Sequence, residues 1–95
     1  MLVDFNSLPE DSRIWVYQSD RKFTDEEIQE IETALTAFIT EWSAHGTGLE
    51  ASFLTKYNRF IIIAVNQGVQ SATGCSIDAS VSFIQRKKKK YGVDL

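Results

Sequence analysis

Apolar residues follow two rhythms along this chain, and the rhythms mark out five elements. The clearest is helical: Ile28, Ile31, Leu35, Phe38, Ile39 and Trp42 recur every three or four residues, with Glu30, Glu32, Thr36 and Glu41 between them. Thr24-Asp25-Glu26-Glu27 supplies a capping box at its start, and Phe23 and Ile28 a hydrophobic staple. Ser43-Ala44-His45-Gly46 ends the stripe, with Gly46 read as a left-handed cap. Ahead of this helix, Arg13-Ile14-Trp15-Val16-Tyr17-Gln18 is β-branched and aromatic and predicts a strand. Beyond it, residues 49–55 alternate as a half-buried strand with Leu49, Ala51 and Phe53 inward, and a turn at Tyr57-Asn58 leads on. Phe60-Ile61-Ile62-Ile63-Ala64-Val65 is the most continuous apolar run, the mark of a strand buried on both faces. Last, Ile77, Val81, Ile84, Lys88 and Tyr91 form the inner stripe of a second helix, closed by Gly92.

The order β-α-β-β-α, with a right-handed crossover, predicts one α+β domain over residues 1–95. Its architecture is a ferredoxin-like split β-α-β-β-α sandwich, an antiparallel sheet with two helices on one face and the last strand short or missing. Val93-Asp94-Leu95 lies where that strand would start, which leaves room for the natural chain to continue. Residues 1–12 hold the only proline, Pro9, in turn-forming company, and form an arm whose Leu2, Val3 and Phe5 are apolar.

A sheet covered on one face only leaves an apolar face to be hidden. We expect that face to carry Trp15, Tyr17, Ile61, Ile63 and Val65, and a second copy to cover it in a two-fold homodimer, with the arm contributing. On this reading Ile63→Lys breaks the dimer.

Composition narrows the function without naming it. The apolar, charged and aromatic fractions are those of an ordinary globular domain, and no apolar run reaches the length of a membrane span. One cysteine cannot form an internal disulfide, which fits a reducing cytoplasm. The net charge of −3 argues against general nucleic-acid binding. Acids gather in the first half and bases in the second, each complementing a helix dipole at the start of one helix and the end of the other.

Candidate chemistry centres on the loop before the second helix. Gly68-Val69-Gln70-Ser71-Ala72-Thr73-Gly74-Cys75-Ser76 stands where a phosphate loop belongs, but five residues separate its glycines and Cys75 replaces the phosphate-gripping lysine. Neither a Walker A nor a Walker B sequence is present, so no ATPase activity is expected. Free amides at Gly74, Cys75 and Ser76 could hold a small anion. Cys75, at a helix start, is also the one candidate nucleophile, with His45 and Asp78 as its only available supports. The plainer readings are a packed thiol, a histidine at a helix end, and Ser76 and Asp78 satisfying first-turn amides. No metal or cofactor set is visible. Arg86-Lys87-Lys88-Lys89-Lys90 reads as a solvated helix end, and Trp15 and Trp42 as core or interface anchors.

The segments Leu2-Val3-Asp4-Phe5-Asn6-Ser7-Leu8-Pro9, Arg13-Ile14-Trp15-Val16-Tyr17-Gln18, Trp42-Ser43-Ala44-His45-Gly46 and Ala72-Thr73-Gly74-Cys75-Ser76-Ile77-Asp78 resemble a family of small uncharacterised bacterial proteins often labelled "ABC transporter ATPase". The resemblance covers essentially the whole chain, and family members run on past it. It implies a cytoplasmic bacterial domain without an assigned activity. The sequence thus leads to a non-enzymatic binding or self-association domain. The alternative is a small-ligand or thiol site at residues 66–78 with Cys75 as the reactive group.

Overall fold

Residue patterning becomes a two-layer α+β arrangement in the computed structural model, which describes Met1–Leu95. Strand β1 (Arg13–Gln18) leads to helix α1 (Asp25–Glu41). A small hairpin of β2 (Ser43–Ala44) and β3 (Thr47–Gly48) follows, then β4 (Ala51–Lys56), β5 (Phe60–Val65) and helix α2 (Gly74–Tyr91). The main sheet has the order β1-β5-β4 with antiparallel neighbours throughout, so the most apolar strand is central. Two consecutive left-handed residues, Tyr57 and Asn58, turn β4 into β5. Asn58 also ties this turn to the start of α1, its side-chain amide donating to the Phe23 carbonyl and the Asp25 carboxylate.

Helix α1 begins as its sequence dictates. The Glu27 amide donates to Thr24 Oγ1 at 3.1 Å, and the Thr24 amide donates to Glu27 Oε1 at 2.9 Å. Replacing Thr24 with Ala leaves one first-turn amide without its partner, so Thr24→Ala should cost about 1 kcal/mol. A urea midpoint equal to that of the parent protein would place the start of the helix elsewhere.

Glu27 does more than cap. Its carboxylate receives both terminal nitrogens of Arg21, at 2.9 and 3.0 Å, and Arg21 reaches on to the Tyr91 carbonyl at the end of α2. Arg21 first, and the Thr24 amide next, hold the Glu27 carboxyl at about 2, below its ordinary 4.5. Because the folded value is the lower one, this contribution to stability is present above about pH 4.5 and is lost as the pH falls toward 2. Urea midpoints should decline across that window, and Glu27→Gln should flatten the decline. An unchanged slope in the variant would assign the acid sensitivity to other carboxylates.

The core forms where both helices meet one face of the sheet. Ile31, Leu35 and Ile39 of α1 and Phe83 and Ile84 of α2 pack on Ile61, Ile63 and Val65 of β5. Ring contacts join the two helices, Phe38 stacking on Phe83 at 5.0 Å, and link the sheet to the end of α1, Trp15 meeting Trp42 edge-on at 6.2 Å.

Three sequence expectations change. Helix α1 stops at Glu41, and His45-Gly46 forms the tip of the β2–β3 hairpin with φ of 51° and 76°. Gly46 is left-handed as its position required, but in a hairpin turn rather than a helix cap. Helix α2 keeps Ile84 of the expected stripe buried and Ile77, Lys88 and Tyr91 half-buried, but its inner face is shifted onto Ser76, Ser80 and Phe83, which leaves Val81 42% exposed. The serines tolerate burial because Ser80 Oγ donates to the Ile77 carbonyl and Ser76 Oγ to the Thr73 carbonyl. The third change concerns the sheet faces.

Candidate functional site

Pairing register decides which face of the sheet is free. Trp15 lies opposite Ile63 and Tyr17 opposite Ile61, while Phe53 flanks Ile63 from β4. This set turns toward the helices. Ile61, Ile63 and Val65 are each 0% exposed, and Trp15, Tyr17 and Phe53 pack against the same core. The expected interface of Trp15, Tyr17, Ile61, Ile63 and Val65 is therefore the inner face, buried within one chain. Its physical reason is plain: both helices present their aliphatic stripes to these side chains.

The opposite set faces away from the helices. Ile14 and Val16 are 54% and 55% exposed, and Leu54, Phe60 and Ile62 beside them are half-buried. Ala64 and Ser52, on the same face, are buried. The arm lies over this end. Phe5, Leu8 and Pro9 line an open cleft of about 300 Å³ with Ile14 and Ala64. Leu2 bridges to Ala51 at the start of β4, and the amino terminus donates to the Leu49 carbonyl at 2.7 Å. The arm thus covers part of the face and leaves Ile14, Val16, Leu54, Phe60 and Ile62 as its apolar remainder. The outward set is thus the even-numbered one, the reverse of the sequence expectation. Nothing in the alternation separates the two sets, because both are apolar on β1 and on β5.

The thiol region is built around the start of α2. Thr73 and Ser76 form a second capping box: the Thr73 amide donates to Ser76 Oγ at 2.7 Å and the Ser76 amide to Thr73 Oγ1 at 3.3 Å. Ser76 is 3% exposed with both groups committed, so it is not offered to a ligand. Of the expected anion set, Gly74 and Cys75 remain exposed. Cys75 is a free thiol on the rim of a cleft of about 340 Å³, which Phe38 and Trp42 line with Glu41, Ser43, Ser76 and Ala79. The Trp42 indole fixes that wall by donating to the Ser76 carbonyl at 2.9 Å.

His45 and Asp78 do not join Cys75 there. Both are exposed, neither lines the cleft, and no hydrogen bond links any two of the three residues. His45 is held at the β2–β3 tip by its left-handed turn, and Asp78 projects from the exposed side of α2. The arrangement has an accessible thiol and an aromatic wall, without a base poised on the sulfur. No group of three or more His, Cys, Asp or Glu side chains is gathered as a metal ion would need.

No protein-family model, curated protein or solved structure matches this chain. No helix is long and apolar enough to cross a membrane.

Proposed function

We propose that this chain is a non-enzymatic binding domain that associates with a second copy of itself through the helix-free side of its sheet. The observation that carries the reading is the exposure of Ile14 and Val16, at 54% and 55%, beside Leu54, Phe60 and Ile62. Burying these side chains against a like surface releases water from apolar area, and the central positions bring no charge that a two-fold twin would have to oppose. Lys56 and Gln18 stand at one end of the face and stay wet at its rim.

Size sets the strength. Strands of six residues span about 20 Å and three of them about 14 Å across, so the contact falls well below the ~800 Å² per partner of a standard interface. Association is therefore expected in the micromolar range. Light scattering across that range should report a mass approaching twice 10.8 kDa, and a single-chain mass at every concentration would overturn the reading.

The same reading places the domain in the cytoplasm, where an exposed free cysteine stays reduced. It takes the order β1-β5-β4 as the ferredoxin-like split β-α-β unit without its last strand. A second reading rests on the cleft: an exposed Cys75 beside Phe38 and Trp42 suits a small apolar electrophile. A cysteine-reactive probe that labels the protein no faster than it labels a free thiol removes it.

A further inference from the structure

The two ends of the helix-free face differ in relief and in charge. Register puts Arg13, Val65 and Ala51 at one end and Gln18, Phe60 and Lys56 at the other. The arm crosses only the first end, where Phe5, Leu8 and Pro9 line their cleft with Ile14 and Ala64, and Ala64 and Ser52 are buried. It stands there as a ridge above the strands. Past the ridge the face drops to Val16, Leu54, Phe60 and Ile62, and it ends at the β4–β5 turn.

That turn carries the most exposed large apolar side chain of the protein. Tyr57 is 75% exposed, and its ring meets that of Phe60 edge-on at 6.2 Å. Phe60 shares the alternation of Ile62 and Ala64, so the contact holds Tyr57 on the helix-free side.

Charge divides the same way. Asp4, Glu10 and Asp11 are exposed on the arm and at its foot, whereas Lys56 and Arg59 bracket the turn at Tyr57-Asn58. None of these five belongs to an ion pair, the pairs of the chain being Arg21–Glu27, Lys88–Asp94 and Lys90–Glu30. Arg13, at the acidic end, turns to the other face, its guanidinium 4.8 Å over the Trp15 ring. Of the acids near the basic end, Asp25 receives the Asn58 side chain and Asp20 the Asp94 amide.

Two sheets stacked face to face can be related by a two-fold axis along the strands or across them. An axis along the strands sets arm on arm and turn on turn, ridge against ridge and like charge against like. An axis across them, passing by Val16, Ile62 and Leu54, lays each arm over the other copy's turn. Relief and charge both select the second.

We propose, resting on self-association through this face, that the two copies meet about the crossing axis and that Tyr57 of each packs on the arm of the other, against Phe5, Leu8 and Pro9. Lys56 and Arg59 then lie beside Asp4, Glu10 and Asp11 of the twin. The arm cleft is completed by a side chain of the second copy. Made twice, the arm–turn contact adds area to a strand face that is small for a standard interface. An unrelated polypeptide laid on this face has no use for two ends that match each other, so the occupant is a second copy.

Isotope-filtered NOE spectra of a mixture of labelled and unlabelled parent protein, at millimolar concentration, read the arrangement directly. The Tyr57 ring of one copy should contact the Leu8 methyls of the other. Intermolecular contacts of Tyr57 with Tyr57, or of Leu8 with Leu8, overturn the arrangement. Tyr57→Ala, at an exposed position, should keep the thermal midpoint and weaken dimerisation about tenfold. Lys56→Glu should weaken it severalfold at low salt, and adding Glu10→Lys to that variant should restore it. Ile62→Lys weakens a dimer about either axis and so reports on the face alone. Dimers of parent strength in both Tyr57→Ala and Lys56→Glu overturn the crossing arrangement while leaving face-to-face association in place. A parent protein that remains one chain at millimolar concentration removes both.

Discussion

Lysine in place of Ile63 leaves no cooperatively folded protein. Ile63 sits at the middle of β5, between Trp15 and Phe53, and is 0% exposed beneath both helices. An ammonium there has no carboxylate to meet, since the surrounding core is Ile31, Leu35, Ile39, Ile61, Val65 and Phe83. Losing the packing of a buried isoleucine costs about 2–5 kcal/mol, and an uncompensated buried charge adds several more. Small domains are stable by roughly 5–15 kcal/mol in all, so the sum removes most or all of the margin. Near-UV circular dichroism of Ile63→Lys should be featureless, and Ile63→Ala should fold with a urea midpoint lowered by about 2–5 kcal/mol of stability. A cooperative melt of the lysine variant near that of the parent protein would mean that the odd positions of β5 face outward after all.

One residue earlier, the same substitution has a different outcome. Ile62 pairs with Val16 on one side and Leu54 on the other, and these three lie on the helix-free face. A lysine there can reach water in a monomer, so Ile62→Lys should keep its near-UV spectrum and melt within a few degrees of the parent. Across a two-fold contact it would sit close to its own twin with both charges losing water. At least 2 kcal/mol of association, about thirtyfold in Kd, should be lost. The adjacent pair of variants therefore separates folding from assembly, one failing in the first and the other only in the second.

Much of this architecture was legible because local signals agreed with one another. Thr24 through Glu27, the stripe from Ile28 to Ile39, and the run from Phe60 to Val65 each permit one structure, and each forms it. Legibility failed where two choices were equal in the pattern. Trp15 with Tyr17 and Ile14 with Val16 are both good core pairs, and only the packing of the helices selects between them. It failed again at Ser76 and Ser80, which read as polar but are small enough to bring α2 close and carry hydroxyls that the backbone satisfies. A helix end and a tight hairpin both need a left-handed backbone, so His45-Gly46 fits either in the sequence. For the thiol region, the sequence located an exposed cysteine at a helix start. Whether His45 stood beside it depended on a hairpin too short to leave a strand signal.

Sedimentation equilibrium of the parent chain and Ile62→Lys, over a hundredfold concentration range centred in the micromolar, tests self-association most directly. The account predicts that the parent moves from one chain of 10.8 kDa toward two as concentration rises, while the Ile62→Lys curve is displaced at least about thirtyfold to higher concentration. A parent mass of one chain at every concentration, or an Ile62→Lys curve that overlays the parent's, would contradict it.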